Sequence, residues 1–117
     1  IIDGLLLNAG GFTHDKKGAV CESGATIIAE TNLIGHAALL DGLIQSNKLA
    51  KGSRVVFSGS EAGLGEPFAI KWSNDLDYYV NIINGKTYGK NYTPADAYGH
   101  IKGMVAFYCS AVARHNT

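Results

Sequence analysis

Two short apolar runs separated by one long helical pattern constrain this chain most. Ile2 to Leu7 and Val55 to Phe57 are bounded by turn residues, which predicts strands of a parallel sheet, since strands buried on both faces need not alternate. Between them Ile27, Ile28, Leu33, Ile34, Ala37, Leu40, Leu43 and Ile44 recur at helical spacing over Ala25 to Asn47. Gly52 is expected in the loop that leads back to the second strand. A strand, helix, strand crossover is the result. Thr93-Pro94-Ala95-Asp96 reads as an N-cap, a Pro at the first helical position and an early acid, so another helix is predicted from about Pro94 to Arg114. Met104, Val105, Ala106, Phe107, Ala111 and Val112 make it apolar almost all round. It is expected to be buried on more than one side, as in a subunit interface.

The connection from Glu61 to Tyr92 is long for a compact domain and carries Pro67, Phe68, Trp72, Tyr78, Tyr79, Tyr88 and Tyr92. A stretch of this length usually has structure or a job. Leu76 to Ile83 reads as a short helix, and Gly85 and Gly89 mark turns. With no repeat, charge block or internal boundary, the chain is read as one α/β domain over 1–117 with an insertion at about 64–92.

Ten basic residues balance ten acidic ones, and 46% of the chain is apolar, the composition of a globular domain. Arg54 and Arg114 are the two arginines, too few for a surface that tracks phosphates, so nucleic acid is excluded as a partner. No run reaches membrane-spanning length and no secretory leader is present, so no membrane partner and a cytoplasmic location are expected. Cys21 and Cys109 are too far apart for a disulfide framework or zinc site, and His14, His36, His100 and His115 lack ligand spacing. No metal is expected. The chain opens at Ile1 inside a probable strand and ends on Arg114-His115-Asn116-Thr117 just after a long helix, which reads as a segment of something larger.

Chemistry concentrates in two places. Tyr98-Gly99-His100-Ile101-Lys102 puts a phenol and an ammonium four residues apart on one helix face, and a cation near a phenol favours the phenolate that exchanges protons with an alcohol or carbonyl. The stretch RVVFSGSEAGLGEP, residues 54–67, has two readings. Gly59, Gly63 and Gly65 follow a strand with the spacing GxxxGxG, as a dinucleotide loop might; otherwise Ser60 is a catalytic hydroxyl at the strand's end. A dinucleotide loop needs a helix starting near Gly63 and an acid ending a second strand about 20 residues on. Pro67 suits that poorly and Asp75 and Asp77 follow no strand, so Ser60 is preferred.

In order along the chain, NAGG at Asn8 to Gly11 ends the first strand, ETNLIGH at Glu30 to His36 lies in the helix, FSGSEAG at Phe57 to Gly63 ends the next strand, and YGHIK opens the last helix. In that order and topology they resemble the short-chain dehydrogenase/reductase family, over most of residues 1–60 and 93–117. The resemblance implies a Rossmann-type doubly wound parallel sheet, present in part, and an oxidoreductase that exchanges hydride between NAD or NADP and an alcohol or carbonyl. It carries catalytic roles onto Asn32, Ser60, Tyr98 and Lys102. Tyr98 would be the general acid and base, Ser60 would hold the substrate oxygen, and Lys102 would bind the nicotinamide ribose. Asn32 would hold a relay water, or else be a buried amide bonded to backbone. Asn8, Ala9 and Gly10 would pass beside the cofactor's adenosine half, with Tyr98 and Lys102 also on the cofactor. The same resemblance implies a homodimer or homotetramer formed through the two apolar helices.

The family's glycine-rich turn is absent, and Ser60 and Tyr98 stand farther apart than is common in it. The insertion's aromatics are read as a substrate lid or pocket wall, or as packing onto the body. Two alternatives stand beside the oxidoreductase: a catalytically silent nucleotide-binding regulatory subunit, and a sugar-nucleotide epimerase of the extended branch. The NAGG turn favours the dehydrogenase branch.

Overall fold

The computed structural model describes residues 1–11, 19–64, 71–89 and 91–116. Gly65, Pro67, Phe68 and His14, singled out in the sequence, lie outside the described residues. Strand β1, Ile2–Leu7, leads through a loop to a helical stretch made of α1, Ile27–Ala29, a π turn, Glu30–Ile34, and α2, Gly35–Gln45. Strand β2, Leu49–Phe57, follows and pairs parallel with β1. A 3₁₀ turn at Glu61–Leu64, helix α3 at Leu76–Ile83 and helix α4 at Pro94–His115 complete the described elements. The architecture is mixed α/β, with a parallel strand pair and helices.

Local chemistry explains each boundary. Thr26 caps α1 through a hydroxyl that accepts from the Ala29 amide, and its own amide donates to the Ile83 carbonyl at the end of α3. Asp75 caps α3 by accepting from the Asp77 amide. At α4 the Thr93 hydroxyl accepts from the Asp96 amide while the Asp96 carboxylate accepts from the Thr93 amide at 2.8 Å, a reciprocal capping box. Pro94 then occupies the first turn, where its missing N–H costs no bond.

The core lies where the helices meet. Ile28 and Ala29 of α1, Ile82 of α3 and Ala97, Ile101 and Met104 of α4 form one buried cluster. The alanines let backbones approach, and each fully buried isoleucine stabilises the fold by about 1.5–3 kcal/mol before entropy is counted.

Two expectations about the strands are corrected. First, β2 starts at Leu49, not near Val55, and Gly52 lies inside it at φ +79°. Ile2 pairs with Leu49 but Gly4 with Arg54, so β2 takes extra residues into a bulge, and the left-handed backbone that a glycine tolerates turns it. Second, the strands are not buried on both faces. Leu6 and Val56, paired across the strands, are 62% and 53% exposed, while Leu7 is buried and Phe57 meets Tyr108 of α4 edge-on at 5.8 Å. Period-two alternation puts one face toward α4 and leaves the other uncovered.

Helix α4 is likewise divided: its residues from Gly99 to Val105 are buried, whereas Phe107 is exposed. Ile27–Gln45 is long and apolar enough by length and composition to cross a bilayer, correcting the expectation that no run reaches that length. Glu30, His36 and Asp41 interrupt the run but leave its average apolar. Ile28, Ala29, Asn32 and Leu40 in this stretch are buried within the chain.

Removing the capping hydroxyl tests the account of α4. Thr93→Ala in the intact protein is expected to lower unfolding free energy by about 1 kcal/mol, read as a shift in denaturant midpoint at unchanged m-value.

Candidate functional site

The C-terminal ends of both strands open into the same region, and backbone geometry there is set by side chains. After β1 come Asn8, Ala9 and Gly10; after β2 come Ser58, Gly59 and Ser60. The Ser58 hydroxyl donates to Asn8 Oδ1 at 2.7 Å and ties the two strand ends together. His36 Nε2 donates to the Ala9 carbonyl at 2.7 Å, an acceptor that requires the proton to sit on that nitrogen.

Asn32 lies in the π turn and is 1% exposed. Its Nδ2 donates to the Ile28 carbonyl at 2.9 Å and to the Gly11 carbonyl at 2.8 Å, and its Oδ1 accepts from the Gly11 amide at 3.1 Å. Both amide donors are thus used by backbone, which leaves one lone pair on Oδ1. The π turn, in which the Gly35 amide reaches back to the Glu30 carbonyl, brings this polar side chain out of an apolar helix toward the β1 end. Such turns are frequent at functional sites.

Lys102 comes from α4 and is buried, 6% exposed. Nζ donates to the Ser58 carbonyl at 2.9 Å and lies 5.8 Å from the centroid of the Tyr98 ring. A Cβ built on Gly10 would fall 2.3 Å from Asn32 Oδ1 and 3.4 Å from Lys102 Nζ. Gly10 therefore passes between the amide and the ammonium, and only a residue without a side chain fits there. Burial pushes the Lys102 pKa below the ordinary lysine value. Among the described residues the Ser58 carbonyl takes one of its three N–H donors, which leaves two for a pair of hydroxyls.

Ser60 relates to Lys102 through a shared cavity. Its hydroxyl oxygen accepts from the Ala62 amide at 3.2 Å, leaving the proton to donate. Ser60 and Lys102 share the wall of a cavity of about 390 Å³ that continues along α4 past Val105 and Cys109 to Ala113. Tyr98 does not line that cavity.

The glycines after β2 have different fates. A Cβ on Gly63 would lie 3.0 Å from the Gly103 nitrogen and 3.1 Å from the Lys102 carbonyl carbon, whereas one on Gly59 would meet nothing within 4 Å among the described residues. Gly63 is spent on seating the 3₁₀ turn against the α4 backbone beside Lys102. That contact holds the Ser60 segment in place.

Of the residues marked in the sequence, Asn8, Gly10, Asn32, Tyr98 and Lys102 are thus linked by direct contacts or through Gly11 and Ser58, and Ser60 joins them through the cavity. Ala9 takes part through its carbonyl. Ser58, His36 and Gly63 were missed as contributors, although all three stand inside the quoted motifs. The insertion's described aromatics pack on the body: Trp72 meets Phe107 at 5.4 Å and His100 at 5.6 Å, and Tyr78 and Tyr92 both reach His100. Among the described residues no group of three His, Cys, Asp or Glu side chains is placed to hold a metal. No protein-family model, curated protein or solved structure matches this chain.

Two outcomes follow from this geometry. Gly63→Ala is expected to cost about 1–3 kcal/mol because backbone cannot yield, and Gly59→Ala about 0.5 kcal/mol or less, both read by urea unfolding. For Lys102, the unfolded state binds more protons than the folded state between the lowered folded pKa and the ordinary value of about 10.4. Stability from this group therefore rises with pH through that alkaline window, and Lys102→Met should flatten the rise in a pH series of unfolding curves.

Proposed function

We propose that the chain is the central part of a Rossmann-type doubly wound domain in an NAD(P)-dependent oxidoreductase of the short-chain dehydrogenase/reductase kind, interconverting an alcohol and a carbonyl. The observation that carries this reading is the buried Lys102 ammonium. It stands 5.8 Å from the Tyr98 ring and faces Gly10 and Asn32 at the C-terminal ends of two parallel strands. Open α/β sheets bind their ligands in the crevice outside those ends.

The residues present fit part of a dinucleotide, since the chain carries no glycine-rich turn for the pyrophosphate. Gly10 supplies a backbone surface without a side chain, and Lys102 keeps two N–H donors for ribose hydroxyls. When bound, NAD or NADP supplies the hydride acceptor or donor. Tyr98, its ring 5.8 Å from the Lys102 ammonium, exchanges the proton with the substrate oxygen. Ser60 donates its free hydroxyl proton to the same oxygen and holds it while charge develops. Asn32 fastens Gly11, which keeps the β1 end against Lys102, and its remaining Oδ1 lone pair is the acceptor for a relay water. The apolar cavity beside Ser60 takes the body of the substrate. Leu39 and Ile44 of α2 and Phe107 of α4 are exposed, which supports pairing of these helices in a homodimer or homotetramer.

Oxidation of NADH and NADPH by the intact protein against a carbonyl panel tests the reading. Tyr98→Phe is expected to lower turnover by about 10²–10⁴-fold and to leave cofactor affinity within twofold or so of the parent, measured by fluorescence titration. Loss of affinity in step with turnover, or full turnover without the phenol, would remove Tyr98 from the proton-transfer role.

A further inference from the structure

His100 lies two residues from Tyr98 and two from Lys102, so it points about 200° away from each around α4. It is a polar side chain only 4% exposed, and the mechanism above does not use it. Tyr78 of α3 donates its hydroxyl proton to the Lys71 carbonyl at 2.8 Å. Toward His100 Nε2, 3.0 Å away, it is therefore an acceptor, as is the Lys71 carbonyl itself at 3.1 Å. Nε2 must carry the hydrogen. On the other side Nδ1 lies 2.9 Å from the Tyr92 hydroxyl and 3.1 Å from the Asp96 carbonyl. Each ring nitrogen is thus engaged by a tyrosine hydroxyl and a main-chain carbonyl.

A chain of hydrogen bonds results, linking Tyr92, His100, Tyr78 and the Lys71 carbonyl. It fastens both flanks of the insertion to one turn of α4. Trp72 strengthens the attachment: its ring meets His100 edge-on at 5.6 Å and occupies the notch over Gly103, where a Cβ would lie 2.1 Å from the ring. Gly103 adjoins Lys102. The insertion thus grips α4 at the turn that presents Tyr98 and Lys102 on its opposite face.

We propose that His100 is a positioning residue for the Tyr98 and Lys102 pair, holding their turn in one rotational setting by fixing the insertion behind it. The inference rests on the oxidoreductase reading above. Hydrogen bonds on two sides of a ring resist rotation of the helix turn in both directions, and displacement of a reacting group by about 1 Å costs on the order of 10² in rate.

The test compares His100→Phe with His100→Gln in the intact protein, measuring kcat, KM, the pH profile of kcat, cofactor Kd and thermal unfolding. Phe keeps a ring but loses both hydrogen bonds, whereas Gln retains a donor and an acceptor. His100→Phe is expected to lower kcat about tenfold or more, to shift the pH profile of kcat and to weaken cofactor Kd by a smaller factor, since Lys102 is carried on the same turn. His100→Gln should restore most of the rate. If His100→Phe does not fold, Tyr92→Phe removes one of these hydrogen bonds, keeps the ring contacts and gives the same readouts. Unchanged kcat and pH profile in a folded His100→Phe variant would overturn the positioning role alone. Equal losses in the Phe and Gln variants without a shift in the profile would reduce His100 to packing and overturn it too. Absence of any NADH or NADPH oxidation by the unsubstituted protein would instead remove the oxidoreductase reading, and the positioning role with it.

Discussion

A lysine ammonium taken out of water has to be met by oxygen, and much of this structure is arranged around one such contact at Lys102. The Ser58 carbonyl takes one N–H directly. That carbonyl is held where it is because the Ser58 side chain is tied to Asn8 across the strand ends. Gly10 can pass next to the ammonium only because it has no side chain, and Gly11 is clasped on both its amide and its carbonyl by Asn32. Burying a charge without such partners costs several kcal/mol. Burial still holds the Lys102 pKa below its ordinary value, so part of this cost remains.

The same site depends on close approaches of bare backbone. Gly63 lies on the α4 backbone at Lys102 and Gly103, Trp72 covers Gly103, and Gly10 lies against Asn32. Each is a place where one methyl group would have to displace something. The glycine spacing that resembles a phosphate loop has, at Gly63, this packing role. Spacing alone does not distinguish a glycine that exposes its backbone to a ligand from one that exposes it to a helix.

Much of the local structure was legible because its causes are local. Thr93, Pro94 and Asp96 write the start of α4 in side-chain chemistry, and the periodicity of Leu76 to Ile83 is enough to define α3. The β1 run was readable for the same reason. What escaped has causes distant in sequence. The π turn needs a bond from Gly35 to Glu30 that no periodicity of apolar residues announces. His100 carries no signal in YGHIK, since its partners Tyr78 and Tyr92 are supplied by the insertion. The exposure of Leu6 and Val56 was also illegible, because an apolar run does not reveal whether a second layer covers it. The nearness of Lys102 and Tyr98 on one helix face follows from their spacing, whereas the clasp between Asn32 and Gly11 appears only when the chain is folded.

The bulge around Gly52 carries a consequence for how this sequence can vary. Pairing of Gly4 to Leu7 with Arg54 to Phe57 is in continuous register, and the irregularity is confined upstream, between the Leu49 and Arg54 pairings. A residue gained or lost between Ala50 and Ser53 is absorbed in backbone that already departs from the ladder. The strand ends bearing Asn8 and Ser58 keep their alignment. The bulge is a length buffer, a point where related sequences can differ by an insertion or deletion without passing the offset on to the chemistry.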